Sequence, residues 1–228
     1  MRYTYLLINF LTLLFPVALS FDMRVAFHKS WRFIWPGMAI TGVFFLAWDI
    51  LFTIKGVWSF NPKYVLGIDI LGLPIEEVLF FLTVPFACIF IYACLNHYLK
   101  YMLSDMMSEV LSSALVILSI LMLVFYHQKL YTLIAFSLLL ILVILLEYVW
   151  RRRWLNQFYI MYVVALIPFY MVNGALTSIP VVIYNPAQIV GAHVFAIPFE
   201  DHFYLLALLL MNIGFFEYFK NKSTDIKS

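Results

Sequence analysis

Charge is what this sequence has least of. Of its 228 residues 11% are Asp, Glu, Lys or Arg, against 65% hydrophobic and 19% aromatic, with mean hydropathy +0.99. Soluble domains carry about 25% charged residues, so a soluble globular enzyme and a disordered tail are both excluded. A net charge of +2 leaves no basic footprint for a nucleic-acid partner. Cysteine is limited to Cys88 and Cys94 in one apolar run, which implies neither a disulfide framework nor a zinc site. Neither a Gly-x-Gly-x-x-Gly run nor a phosphate-cradling loop occurs, so no nucleotide-binding domain is expected. The five histidines, His28, His97, His127, His193 and His202, are scattered without paired boxes, against a di-iron centre. No metal or other cofactor is expected.

What the sequence does contain is apolar runs of membrane-crossing length. A transmembrane helix needs about 20 such residues, and seven stretches qualify: Tyr3–Ser20, Phe33–Ile54, Glu77–Leu99, Glu109–Tyr126, Leu130–Tyr148, Asn156–Thr177 and His202–Phe219. The expected fold is an all-α membrane protein with seven transmembrane helices, embedded in the lipid bilayer of the cell membrane. No lysine lies within the seventh stretch, which excludes a retinal Schiff base there. Arg2, Lys55, Lys63 and Lys129 fall on one side of such a bundle. Arg24, Lys29, Arg32, Lys100, Arg151, Arg152, Arg153, Lys220, Lys222 and Lys227 fall on the other. The positive-inside rule then sets the C-terminus in the cytoplasm and the N-terminus outside. The first twenty residues resemble a signal peptide, but an internal repeat uses them as a structural helix.

That repeat appears when the chain is slid along itself by 124 residues. Thr53 meets Thr177, Val57 meets Val181, Asn61 meets Asn185, Pro62 meets Pro186, Gly67 meets Gly191, Pro74 meets Pro198 and Glu76 meets Glu200. Hydrophobic similarity alone would not align Asn-Pro, Gly and Pro-x-Glu at one offset. The shift lays spans 1, 2 and 3 on spans 5, 6 and 7. Span 4, without a counterpart, restores the direction of the second copy, giving two parallel three-helix repeats joined by a linker helix. The expected organisation is a first repeat over 1–100, a linker span over 101–126, a second repeat over 127–220 and a cytoplasmic tail over 221–228. A functional site is expected at the interface between copies. The linkers carrying Phe60, Tyr64, Tyr184, Ile189, Val194 and Phe195 are too apolar for solvated loops and are expected to be re-entrant or lid-like.

Each copy re-enters through an acid pair: Leu73-Pro74-Ile75-Glu76-Glu77 and Ile197-Pro198-Phe199-Glu200-Asp201. Proline followed by acids is also an ordinary helix start, with carboxylates facing the positive end of the dipole. Four of the twelve acids sit in these two places, however, and ionisable groups in membrane spans default to function. Glu76, Glu77, Glu200 and Asp201 are therefore the catalytic candidates. Adjacent helix residues do not face each other, so neither pair is a dyad by itself. Asp49 and Asn173 occupy equivalent places and read as hydrogen-bonding anchors. Trp48, Trp58, Phe80, Tyr184 and Tyr204 read as interface or packing aromatics, and as ring faces that could hold a cation. Asn61 and Asn185 complete the candidate substrate-contacting set. Glu147 and Glu217 are expected to snorkel to the surface.

The runs Trp48-Asp49, Trp58-Ser59-Phe60-Asn61 and Leu73-Pro74-Ile75-Glu76-Glu77-Val78-Leu79-Phe80-Phe81 resemble the lycopene cyclase domain of carotenoid biosynthesis. Asn173-Gly174-Ala175-Leu176-Thr177, Tyr184-Asn185 and Ile197-Pro198-Phe199-Glu200-Asp201-His202-Phe203-Tyr204 are similar to that domain's second version. The family is the heterodimer-type membrane cyclases, two subunits in some bacteria and fused in archaea and fungi. The resemblance implies a lycopene β-cyclase acting on lycopene or a related acyclic carotenoid, alongside other carotenoid-pathway enzymes. It makes the four acids the candidate acid and base, with the roles within each pair open. It also implies chemistry without redox change. Two alternatives stand beside it: cyclisation of another carotenoid such as a C50 one, and a small proton-coupled transporter. A transporter should carry its polar groups near mid-bilayer, whereas these acids cluster at one end of their spans.

Overall fold

The computed structural model describes residues 2–99 and 102–225; Lys100, Lys227 and the last three residues of the expected tail lie outside them. The helices are α1 (Thr4–Leu19), α2 (Trp31–Ile54), α3 (Ile75–Tyr98), α4 (Asp105–Tyr126), α5 (Leu130–Val143), α6 (Leu155–Ser178) and α7 (Phe199–Asp225). A 3-10 turn over Phe27–Ser30 precedes α2, and α5 continues as a π-helical turn over Ile144–Val149. Short strands fill the two long connections: β1 (Trp58–Phe60), β2 (Asp69–Ile70) and β3 (Leu73–Pro74), then β4 (Val182–Tyr184), β5 (His193–Val194) and β6 (Ile197–Pro198).

Among the described residues, six helical segments are long and apolar enough to cross a membrane. The first expected span is shorter, since α1 has 16 residues and so runs about 24 Å at 1.5 Å per residue. That falls short of a hydrocarbon core of about 30 Å. The third and seventh spans begin earlier than the hydropathy suggested, at Ile75 and Phe199. All four candidate acids therefore lie in first helical turns. Polarity within the helices is turned inward, as a lipid solvent demands. On α4 the buried residues include Ser108, Ser112 and Ser119, while Met106, Val110, Ile117, Ile120 and Val124 are exposed.

The chain forms two compact units. The first holds residues 2–51, 60–99 and 208–225. In it α1 packs on α3 through a polar seam: the Asn9 amide donates to the Glu76 carbonyl at 2.9 Å, and the Thr83 hydroxyl donates to Asn9 Oδ1 at 2.8 Å. Gly37 on α2 lets Phe215 of α7 approach so closely that a Cβ would sit 2.8 Å from the Phe215 Cβ. Small residues permit such helix contacts in membranes.

The second unit holds residues 52–59 and 102–207. Here Ser108 and Ser112 of α4 donate to Glu147 Oε2 at 3.1 and 2.9 Å, and Ser112 also meets the Tyr159 hydroxyl at 2.6 Å. Glu147 thus turns toward α4 instead of snorkelling, because two hydroxyls offer it partners. In the first unit Glu217 is buried and pairs with Lys220 at 3.6 Å.

The re-entry segments are β-hairpins that feed a helix. In the first unit Asp69 pairs with Pro74 and Ile70 with Leu73, and the Ile75 amide donates to Ile68 at 2.8 Å. In the second His193 pairs with Pro198 and Val194 with Ile197, and the Phe199 amide donates to Ala192 at 2.9 Å. Every one of these bonds recurs 124 residues on. Leu73, Pro74, Ile197 and Pro198 are buried, but the hairpin tips Leu71 and Phe195 are 77% and 88% exposed. Of the apolar linker residues expected to tuck in, Ile189 does and Phe195 does not. Its turn places Phe195 at φ 55°, where the side chain points off the ladder.

Gly67 and Gly191 both sit in the left-handed region, at φ 80° and 87°. A Cβ at 191 would meet nothing within 4 Å, so the strain there is conformational alone. Gly191→Ala should lower stability by about 1 kcal/mol, read as a lower thermal midpoint of the detergent-purified protein. An unchanged midpoint would show that this loop does not need glycine.

Candidate active site

In the first unit Glu76 and Glu77 open α3, both buried, at 0% and 8% exposure. Glu76 Oε1 accepts the backbone N–H of Leu66 at 2.7 Å, while its Oε2 is buried without a hydrogen-bond partner. Glu77 points elsewhere: its Oε2 accepts the hydroxyl of Tyr5 from α1. Tyr5 is itself fixed by its own amide, which donates to the Tyr64 carbonyl at 3.2 Å. Around them Tyr5 lies 6.4 Å from Phe80, Phe80 lies 5.9 Å from Phe81, and Trp48 stacks on Phe45 at 5.4 Å. Asp49 is buried one residue beyond Trp48.

The second unit repeats the plan with more donors. Glu200 is 0% exposed; its Oε1 accepts from the Val190 amide at 2.6 Å and from the Thr132 hydroxyl at 2.7 Å. Its Oε2 is again buried without a partner. Asp201 accepts three bonds of 2.7 Å, from Tyr131 on Oδ1 and from Asn173 and Tyr184 on Oδ2. Tyr131 is held by the Gln188 carbonyl through its amide, as Tyr5 is by Tyr64. Rings crowd the acid: Trp58 lies 5.2 Å from Tyr131, 6.1 Å from Tyr184 and 6.4 Å from Tyr204. Trp58 reaches this unit because the chain leaving α2 belongs to it, held by the Asn185 amide donating to Val57 at 2.8 Å.

Of the expected residues, Trp58, Asn173, Tyr184 and Tyr204 come together at Asp201. Asn61 and Asn185 do different work. Their side-chain oxygens accept the amides of Lys63 and Ala187, closing Asx turns ahead of the loops that supply the Leu66 and Val190 amides. The donors Tyr5, Tyr131 and Thr132 escaped the sequence reading. Tyr5 and Tyr131 are 126 residues apart, not 124, so the offset that aligns the acids sets Tyr5 against Lys129. No metal-binding cluster of His, Cys, Asp or Glu occurs among the described residues. What each unit offers is a pair of buried carboxyl groups with aromatic walls.

The family model described as lycopene cyclase matches residues 2–95 and again residues 128–219. The chain belongs to the lycopene cyclase family. The two matched stretches begin 126 residues apart and end 124 apart, which accounts for the register of Tyr5 with Tyr131. Neither the curated proteins nor the solved structures compared with the chain gave a match. Within this family member the two acid pairs fall one in each matched stretch, at the same hairpin-to-helix junction.

The donor geometry ranks two substitutions. Tyr131→Phe leaves Asp201 Oδ1 without its donor and should cost about 1–3 kcal/mol. Thr132→Val leaves Glu200 Oε1 on the Val190 amide and should cost about 0.5–1.5 kcal/mol. Thermal midpoints in detergent should fall in that order, and a reversed order would contradict the bonding described.

Proposed function

We propose that this member of the lycopene cyclase family is a lycopene β-cyclase, closing the ψ-ends of lycopene to β-rings and so forming γ- and β-carotene. The observation that carries the reading is the recurrence of two buried acids at the same junction in both matched halves. A polyene hydrocarbon offers no group for polar recognition and partitions into the bilayer. Its enzyme therefore needs apolar walls and a few placed proton carriers. A carboxylic acid protonates the terminal double bond of the ψ-end, leaving a tertiary carbocation. The neighbouring alkene attacks that centre and closes the six-membered ring. A carboxylate then removes a ring proton, and the double bond re-forms. One proton is added and one is lost, so substrate and product are isomers and the reaction is an intramolecular lyase or isomerase step.

The aromatic faces of Trp58, Tyr131, Tyr184 and Tyr204 suit the cation stage, since ring quadrupoles attract cations without reacting as bases would. In the same reading, residues 1–100 and 127–220 are parallel repeats joined by a linker span over 101–126. The N-terminus lies outside and the tail over 221–228 is cytoplasmic, as the basic residues suggest. That topology puts the acid-bearing hairpins on the outer face.

Expression in a bacterial host that accumulates lycopene tests the reading. Chromatography of the extracted pigments should give new peaks at γ- and β-carotene, with their ratio reporting one-ended or two-ended action. The double variant Glu76→Gln/Glu200→Gln should insert and leave lycopene uncyclised. Unchanged lycopene from membrane-inserted wild-type protein would overturn the β-cyclase assignment.

A further inference from the structure

We infer that a polar cavity in the second unit, at the far end of its helices from the acid pair, binds a zwitterionic lipid headgroup: a phosphate joined to a primary ammonium, as in phosphatidylethanolamine. The inference does not depend on the cyclase reading.

The cavity has a volume of about 460 Å3 and lies where α4 and α6 begin and the π-helical turn after α5 ends. Tyr131, at the acid end of α5, and Glu147, in the cavity wall, are separated by about 24 Å at 1.5 Å per residue. Two sets of opposite charge line it: Arg151, Arg152 and Arg153 on one hand, Asp105, Glu109 and Glu147 on the other. The sets do not satisfy each other. Among the described residues none of the three guanidiniums enters an ion pair or a side-chain hydrogen bond, and Arg152 lies 5.8 Å from the Trp150 ring. The turn that presents them is tied by the Arg152 amide donating to Leu146 at 2.9 Å, with Arg151 in the left-handed region at φ 47°. Neutral donors hold two of the acids from the protein side. Asn156 donates to Asp105 Oδ1 at 2.6 Å, and Ser108 and Ser112 donate to Glu147 Oε2. That leaves Asp105 Oδ2, Glu147 Oε1 and both side-chain oxygens of Glu109 as acceptors not taken by any described residue.

Opposite charges that share a cavity without pairing suit a ligand that carries both. Guanidinium forks match the oxygens of a phosphate, and a primary ammonium has three N–H donors for the free acid oxygens. A purely anionic ligand would meet the acids unpaired, and a purely cationic one the arginines. The surroundings favour a lipid over a soluble zwitterion. Met106, Val110 and Val149, next in sequence to residues of the cavity wall, are exposed apolar side chains, so acyl chains can run on from the headgroup along the helices. Charged pockets between membrane helices are where lipid headgroups are recognised.

Native mass spectrometry of the full chain in detergent, titrated with lipids of matched acyl chains, tests the site without reference to turnover. Phosphatidylethanolamine should be retained as one copy per chain, at least about tenfold more tightly than phosphatidylcholine or phosphatidylglycerol, the weight of one charge-assisted hydrogen bond. The choline head has no N–H to donate, and the glycerol head has no ammonium. Free O-phosphoethanolamine at the same concentration should not displace the lipid. Asp105→Asn/Glu109→Gln should bring the ethanolamine lipid down to the level of the choline lipid. Arg151→Gln/Arg153→Gln should weaken both zwitterionic lipids by about tenfold, the weight of a charge-assisted bond to phosphate. Arg24→Gln/Lys29→Gln, which removes two cations from the first unit, should leave the binding of all three lipids unchanged. The substituted side chains are exposed, and the wild-type comparison needs no variant at all. Equal retention of the three lipids by the wild type, displacement by the free headgroup, or an equal loss in the first-unit variant would overturn the inference.

Discussion

A carboxyl group taken out of water into an apolar bundle must find donors or give up its charge, and this constraint organises both halves of the chain. The donor that each first acid finds is a backbone amide ten residues upstream, Leu66 for Glu76 and Val190 for Glu200. That bond explains the hairpin. The loop has to reverse between the amide and the helix, so a two-stranded turn with left-handed residues at Leu71 and Gly72, or at Phe195, is placed there. It also explains why proline precedes the helix: its N–H would have been surplus at that position. The acids' own place in the first turn adds the helix dipole to the donors. Glycine at 67 and 191, in the left-handed region, directly follows the residue whose amide the acid accepts.

The halves then diverge in how the rest of the polarity is met. Thr132 reaches Glu200, whereas its counterpart 126 residues earlier is Leu6. Asn9 and Thr83 form a polar seam in the first unit, and their counterparts Ala135 and Ala207 are 0% exposed in the second. In the first unit hydrogen bonding supports the helix pair behind the acids. In the second it is spent on the acids themselves, and the helices pack with small apolar residues. Two stretches that match one family model thus meet the same constraint differently, and the difference has a local result. It leaves Asp201 with the larger donor set and with the ring of aromatics.

Much of this was legible before any coordinates, for physical reasons. Membrane helices announce themselves because their solvent is hydrocarbon, so their lipid faces and interior are both apolar. Carboxyl groups in such runs are conspicuous because their burial is costly. Buried tyrosines are not conspicuous: Tyr5 and Tyr131 read as core aromatics, and only their hydroxyl bonds to Glu77 and Asp201 distinguish them. Register hid them further, since the first copy is two residues longer between helix 1 and helix 2. The turn roles of Asn61 and Asn185 are visible in the Asn-Pro dipeptide, but their pairing with the loops that supply the Leu66 and Val190 amides is not. Glu147 shows the limit of reading hydropathy at a span's end, because its two serine donors lie 35 and 39 residues away.

Adjacency in sequence is what lets two acids in one helical turn keep separate partners. Consecutive helical residues diverge by about 100°, so Glu200 turns toward Thr132 and the Val190 loop while Asp201 turns toward Tyr131, Asn173 and Tyr184. Facing carboxyls would share one proton between them. Separate partners prevent that pairing, with each acid held by groups the other does not touch. The same apolar surroundings then work in both directions. They raise the cost of a bare carboxylate, and they strengthen the hydrogen bonds that the acids accept. A junction on this plan depends on one medium for both effects, with the hydrogen-bond pattern deciding which oxygens are met.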